Sequence, residues 1–413
     1  MRDESLKSAN GFDAHRMCRP ATGRPDLPGR AWFAVLSVAL GIFTLMTTEL
    51  LPVGLLPAVA AAQDVSAGTA GLMVTAPGVV AACTAPLLMI VAGRINRRLL
   101  LCGLMALLTI ANSASALAPN FSVLVSARVT VGFCIGGFWA IAGGLAVRLV
   151  PERSVGLATS LIFGGVSAAS VLGIPAGTLI GDWVGWRSAF LALVGLSAVV
   201  FVALFILLPS LPSNQAISSR TLLLQLQNRD VAIGLTLTFL LICGQFSAYT
   251  FISPTLQQIA GVDVRLIGVV LLLYGCASLI GNFAAGLSAV RNLRRTVLLI
   301  AFVLAATVLS IPALGRGTVH GIVLAGLWGL AYGGVSVSLQ TWIIKAAPSS
   351  TEAATALFVS VFNLSIALGA LIGGVAADNA GIRSPMWLGG FFFLLGAVVL
   401  VNPRRAALSK PAS

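Results

Sequence analysis

Apolar residues run along this chain in long, nearly unbroken stretches separated by short polar gaps. Twelve stretches can be marked off: 32–59, 68–92, 99–118, 121–147, 155–181 and 187–208, then 231–257, 266–290, 296–315, 319–344, 352–377 and 385–402. A helix rises about 1.5 Å per residue, so each stretch can cross most or all of a hydrocarbon layer ~30 Å thick. The pattern predicts twelve transmembrane helices in two sets of six. The segment 209–230 between the sets is polar, carries two prolines and reads as a linker.

Composition agrees with this picture. Of 413 residues, 58% are apolar and only 9% charged. So few charges could not cover a water-facing surface, which excludes a set of soluble domains. The segment 1–31 holds six Lys or Arg among scattered Pro and Gly and is expected to be a disordered tail, with 403–413 a second, short one. Met17 is an alternative start. The first apolar stretch runs into Ala60-Ala-Ala62, as a signal peptide can, but it is too long for an h-region and reads as an uncleaved helix.

The net charge of +13 would suggest a nucleic-acid partner in a soluble protein. Here the distribution decides otherwise. With the N-terminus placed in the cytoplasm, twenty basic residues fall on the cytoplasmic side. Four (Arg187, Arg265, Arg316 and Arg383) fall opposite, and Arg128 lies inside a span. That is a strong positive-inside signal with both ends in the cytoplasm, and no nucleic-acid partner is expected. Five of the six cysteines lie in apolar runs and form no CxxC pair; His15 and His320 lie outside the spans. No metal site and no cofactor are expected.

The two halves repeat. At an offset of 196, Ala158-Thr-Ser-Leu161 answers Ala354-Thr-Ala-Leu357, Leu172, Gly173 and Gly177 answer Leu368, Gly369 and Gly373, and Asp182, Gly185, Arg187 and Ser188 answer Asp378, Gly381, Arg383 and Ser384. At 197, Arg148 and Pro151 answer Lys345 and Pro348, and Arg97-Arg98 answers Arg294-Arg295. An even number of spans per half keeps both copies in one orientation, a parallel repeat. The predicted fold is therefore an all-α membrane protein of two six-helix bundles, 32–208 and 231–402, facing one another. Such an arrangement suits a rocking transporter with a site between the bundles near mid-membrane.

Glu49 is the carboxylate well inside a span, and Arg128 on the fourth span lies at similar depth. An intramembrane ionisable residue is a functional candidate by default. Two roles fit: a structural ion pair, or a proton carrier at Glu49 whose charged form Arg128 favours. For substrate contacts the candidates are polar or aromatic residues near mid-span: Phe138 and Trp139 on the fourth, Gln245 and Tyr249 four apart on the seventh, Trp328 on the tenth and Asn363 on the eleventh. Amides with aromatic rings suit a neutral, planar, polar ligand. Gly173-x-Pro175-x-Gly177 on the fifth span forms a stripe that lets a neighbouring helix come close. Gly93, Arg94, Arg97 and Arg98 make the short turn between the second and third spans, either a positive-inside anchor or a latch. No Walker A sequence and no catalytic constellation occurs, which argues against an ATP-driven pump and a membrane-embedded enzyme.

The six-plus-six repeat resembles the major facilitator superfamily. Arg128-x3-Gly132 resembles its helix 4 motif, Gly173-x-Pro175-x-Gly177 the helix 5 motif of its antiporter branch, and Thr48-Glu-Leu-Leu-Pro-Val-Gly-Leu-Leu-Pro57 the first helix of its twelve-span drug:proton antiporters. Gly136-Gly-Phe-Trp-Ala-Ile141, Arg148-Leu-Val-Pro-Glu-Arg153, Gly244-Gln-Phe246, Trp328-Gly-Leu-Ala331, Thr341-Trp-Ile343 and Asp378-Asn-Ala-Gly381 are similar to the bacterial purine ribonucleoside efflux pumps, with sugar efflux transporters next. The resemblance implies a proton-coupled exporter in the cell inner membrane, with Glu49 and Arg128 at the coupling positions and Gly173, Pro175 and Gly177 as the antiporter motif. One departure stands out: the turn between the second and third spans carries Asn96 where the family has an acidic residue.

The resulting expectation is an antiporter that exports small polar solutes, purine ribonucleosides first, in exchange for protons. It is expected to act as a monomer within the lipid bilayer. Export of sugars or drugs is the alternative within transport; a non-transporting membrane receptor is the alternative outside it.

Overall fold

The computed structural model of the chain describes residues 28–91, 95–142, 145–151, 154–211, 224–314, 317–348 and 350–401. In the first half, α1 spans Pro28–Ala62, α2 Leu72–Val91 after a helical turn at Ala67–Ala70, α3 Arg97–Ala116 and α4 Phe121–Ala142 with a further turn at Ala146–Leu149. Helix α5 covers 155–184 in three pieces: Val155–Ala168, a π-helical turn Ala169–Gly173, and Ile174–Val184. Helix α6 is Trp186–Leu207.

The second half follows the same plan. Helix α7 is Arg229–Tyr249 and resumes as Ile252–Gln258. The run Val264–Leu314 is interrupted at Asn292, whose φ of −155° and ψ of 90° are not helical, and so comprises α8 (264–291) and α9 (293–314). Then come α10, Thr318–Ala346, α11, Thr351–Ala380, and α12, Ser384–Val401. Among the described residues, eleven helical runs are long and apolar enough to cross a membrane, and the break at Asn292 makes twelve spans of them. In lipid each backbone amide must find its partner within the segment, so apolar stretches of this length can only be helices.

Two stretches differ in detail from the expectation. The seventh, expected as one helix over 231–257, breaks at Thr250-Phe251. Pro254 has no N–H to offer the Thr250 carbonyl four residues back, and its ring disfavours a continuous turn. The expected gap between 290 and 296 shrinks to the single residue Asn292, whose side-chain Oδ1 accepts from the Arg295 amide and starts α9.

The repeat is visible in the packing. Glycines of α4 let it lie on the backbone of α2, Gly132 against Pro77 and Gly136 against Ala81. The residues 197 positions on do the same for α10 and α8, Gly329 against Tyr274 and Gly333 against Ser278. At the other offset, Gly173 and Gly177 of α5 seat Thr47 and Leu51 of α1, while Gly369 and Gly373 of α11 seat Cys243 and Ser247 of α7. The turns after α5 and α11 each need a positive φ, 100° at Gly185 and 82° at its repeat mate Gly381, where a side chain would be strained.

The halves meet along two equivalent seams, α2 on α11 and α5 on α8. Gly78 faces Asn363 and Ala367 in the first; Gly268 and Gly275 face Leu179 and Ser170 in the second. Three hydrogen bonds cross between the halves toward the end of the 62–67 loop: Ser66 Oγ to Asp378 Oδ2 (2.6 Å), the Gly68 amide to Asp378 Oδ1 (2.9 Å) and Ser253 Oγ to the Val53 carbonyl (2.8 Å). Apolar clusters also bridge the halves there. Val53, Val74 and Ile174 pack with second-half residues, and Phe251 packs with Leu51, Leu55 and Met73. Toward the opposite end, the cluster around Ile42, Met105 and Phe138 is built from the first half alone. The molecule is thus sealed at the 62–67 end.

Candidate functional site

Arg128 is fully buried on α4. Its guanidinium donates to three main-chain carbonyls: Nε to Met73 (3.0 Å), Nη1 to Thr48 (2.9 Å) and Nη2 to Glu49 (3.1 Å). The first two acceptors have a common origin. Pro52 in α1 and Pro77 in α2 lack the N–H groups that would serve residues 48 and 73, so both carbonyls are without a helical donor. Arg128 answers both and ties α4 to α1 and α2. A further proline-freed carbonyl, Val53 ahead of Pro57, is the one that Ser253 reaches from the other half.

Glu49 is buried beside this knot, yet its Oε1 has no hydrogen-bond partner among the described residues. What Arg128 bonds at position 49 is the backbone, not the carboxylate. Asn112 of α3, not foreseen from the sequence, completes the buried polar group: its Nδ2 lies 3.4 Å from Thr48 Oγ1, and its Oδ1 has no hydrogen-bond partner among the described residues.

In the second half, Gln245, Tyr249 and Trp328 come together with two residues the sequence reading passed over, Tyr274 and Tyr332. Trp328 Nε1 donates to Gln245 Oε1 at 2.8 Å, and Gln245 Nε2 donates to the Tyr274 hydroxyl at 2.8 Å. Tyr249 stacks obliquely on Tyr274 (4.9 Å, 33°) and meets Trp328 edge-on (5.9 Å, 90°). Tyr332 stacks on Tyr274 (6.5 Å, 31°). The chain has three tyrosines, and all three are in this cluster. The available sequence cue was spacing: Trp328 and Tyr332 are four apart on α10, as Gln245 and Tyr249 are on α7.

The other candidates lie elsewhere. Phe138 is buried in the first-half core, its ring filling the space beside Gly41. Trp139 pairs with Phe163 of α5 at 5.8 Å. Asn363 bonds the Val359 carbonyl of its own helix and lies on the α2–α11 seam. Gly173 and Gly177 press α5 onto α1, while Pro175 presents its carbonyl toward Gly268 of α8. Helix α5 therefore touches its own half on one side and the other half on the opposite side.

Gly93 and Arg94 lie outside the described residues. In the rest of that turn, Asn96 caps α3 by accepting from the Arg98 amide (3.0 Å). The same side chain donates to Ser210 Oγ (2.7 Å) and accepts from the Leu211 amide (3.2 Å). The Arg97 amide donates to the Leu211 carbonyl. Arg98 bonds the Phe205 carbonyl and sits 5.3 Å over its ring. Its counterpart by contact is Arg294, which bonds the Leu400 carbonyl at the end of α12. An uncharged Asn96 thus joins the start of α3 to the segment after α6.

Away from these groups, a pocket of ≈ 230 Å³ opens near the sealed end, lined by Gly54, Pro57, Ala58, Asp182, Gln257, Val264 and Ile267. Asp182 Oδ2 is buried there without a hydrogen-bond partner among the described residues.

The family model of the Major Facilitator Superfamily matches residues 38–353 and, in a second overlapping match, 234–413. The chain belongs to this superfamily. Among curated relatives, the purine ribonucleoside efflux pump NepI of Salmonella paratyphi B is 34% identical over 89% of this chain and 93% of its own. NepI of Escherichia coli O1:K1 is 34% identical over 94% and 97%. The transcription regulatory protein OpdE of Pseudomonas aeruginosa is 33% identical over 94% and 97%. Among solved structures, the human organic anion transporter MFSD10 matches with a TM-score of 0.64 at 19% identity, over 91% of this chain and all of that one, which speaks for the shared superfamily fold. As a member of the Major Facilitator Superfamily, the chain is a multi-pass membrane transporter and not an enzyme.

Proposed function

We propose that this protein exports purine ribonucleosides across the cell inner membrane in exchange for protons, with both termini in the cytoplasm. The carrying observation is the near full-length similarity to purine ribonucleoside efflux pumps, over 89% to 94% of the chain. The second-half cluster supports it, since stacked rings around an oriented amide suit a planar, polar, neutral solute. In this reading Gln245, Tyr249 and Trp328 build the substrate site, joined by Tyr274 and Tyr332, with both amide atoms of Gln245 spent on orienting its neighbours. Glu49 takes up and releases the proton: its Oε1 is a buried acceptor that no described side chain satisfies. Arg128 ties α4 to α1 and α2 at the level of Glu49. The sealed 62–67 end is then the outer one, and the structure is an inward-facing state.

Inosine accumulation in inside-out vesicles under an imposed pH gradient tests this, with wild type beside Glu49→Gln and protein-free vesicles as background. Gradient-driven uptake lost in Glu49→Gln is the expected result. Uptake that survives the substitution would reduce Glu49 to a structural residue. No inosine uptake by folded wild type would overturn the nucleoside assignment. A regulatory role, as in the name of the relative OpdE, predicts instead a phenotype indifferent to Glu49→Gln.

A further inference from the structure

The directions of the hydrogen bonds in the second-half cluster are fixed by chemistry. An indole N–H can only donate, so the Gln245 atom facing Trp328 Nε1 must be the amide oxygen. The amide nitrogen then faces Tyr274 and donates, so the Tyr274 oxygen accepts. Its own proton is not used in that bond. No acceptor for it is seen among the described residues, although Tyr274 is buried. All three members of the chain are buried, and a buried donor left without an acceptor is destabilising by about 1–3 kcal/mol. Trp328 and Gln245 thus hold Tyr274 as a hydroxyl whose proton no described residue accepts, which leaves it for water or a bound solute. Tyr249 and Tyr332 both pack against its ring and restrict where that partner can lie.

We propose that Tyr274 is the specificity-determining donor of the substrate site, which therefore selects solutes presenting a hydrogen-bond acceptor beside a flat ring. Gln245 is a positioning residue in this scheme: both amide atoms are engaged within the cluster, and it acts through Tyr274. The proposal rests on the substrate reading given above for this cluster, but one arm of its test does not.

Tyr249→Phe/Tyr332→Phe protein retains Tyr274 as its sole tyrosine, so the tyrosine doublet in its Raman spectrum reports this hydroxyl alone. Without ligand, the doublet should have the intensity ratio of an acceptor, and Gln245→Leu should abolish that ratio. A donor-type ratio unchanged by Gln245→Leu overturns the proposal whatever the substrate is. Added inosine should move the ratio toward that of a donor; inosine that binds by thermal shift without moving it also overturns the proposal. Tyr274→Phe, which keeps the ring, should weaken inosine binding about tenfold, the effect of one hydrogen bond, and an unchanged affinity overturns the assignment. If wild type binds no inosine, the nucleoside reading fails while the ligand-free spectra still decide the role of Tyr274.

Discussion

Arg128 bonds the carbonyl of Thr48, an acceptor that exists because Pro52 withholds its helical donor. The same guanidinium meets the carbonyl that Pro77 frees at Met73. Bonds from a charged donor contribute about 1.5–3 kcal/mol each. Arg128→Ala should therefore lower stability by at least ~3 kcal/mol, read as a fall in the melting temperature of detergent-purified protein. Pro52→Ala returns an amide to Thr48, so Arg128→Ala should be milder in that background by about 1 kcal/mol. Simple additivity would show that the two residues do not share this carbonyl.

Glu49→Gln should leave folding intact. The bond that Arg128 makes at position 49 is to the main chain, which the substitution does not touch. The variant should melt within about 1 kcal/mol of wild type. A large loss of stability would mean that the carboxylate, and not the carbonyl, anchors Arg128.

The glycine seams predict a hierarchy. A Cβ at Gly132 or Gly329 would run into backbone, that of Pro77 or Tyr274, and neither can give way. Both Gly→Ala changes should be severe and similar, as overpacking of about 1–3 kcal/mol. A Cβ at Gly173 meets the Thr47 side chain instead. Gly173→Ala should therefore be rescued by Thr47→Ala, with folded yield by size-exclusion chromatography as the measure.

Asp378 fastens the 62–67 end from the second half, through Ser66 and the Gly68 amide. Asp378→Ala removes two bonds that exist only while that end is shut. It should shift the population toward opening there by about 1–3 kcal/mol. Spin labels at Ala62 and Arg383, both exposed, should show a longer-distance component in the variant. An unaltered distance distribution would show that the seal rests on apolar packing alone.

Asn96 serves as cap and as clasp. Asn96→Ala removes the helix cap and the bonds to Ser210 and Leu211, and should lower stability by roughly 1 kcal/mol or more. Asn96→Asp keeps the acceptor that the Arg98 and Leu211 amides need, and Ser210 can turn its hydroxyl to donate. It should melt close to wild type, and a loss as large as that of Asn96→Ala would show that the Nδ2 bond dominates.

The twelve spans were legible because lipid leaves a long apolar stretch no option but a helix, and the parallel repeat because its glycines and turn residues recur at two nearly equal spacings, 196 and 197. The arrangement around Arg128 was harder to read. An arginine and a glutamate at one depth suggest a side-chain pair, whereas the acceptors are main-chain atoms that no residue letter shows. Their signal lay in Pro52 and Pro77, each pointing four residues back to a freed carbonyl. Tyr274 and Tyr332 escaped notice for a different reason. A tyrosine in an apolar run carries one polar atom and leaves no mark in a hydrophobicity pattern, so its role emerges only when α7, α8 and α10 bring their rings together. Phe138 shows the converse: an aromatic ring near mid-span suggested a ligand contact, whereas the ring packs beside Gly41 in the first-half core.

Asp182 and Asp378 occupy matching places in the repeat, but only one of them is bolted. Asp378 meets Ser66 and Gly68; the residues matching those two are Asp263 and Arg265, and beside Asp182 there is a hollow in place of a clasp. A pseudo-symmetric molecule with one bolted jamb does not part evenly. The α5–α8 edge has fewer bonds to break and space to move into, so the least costly motion at this end is a swing about the α2–α11 edge, like a door on its hinge side.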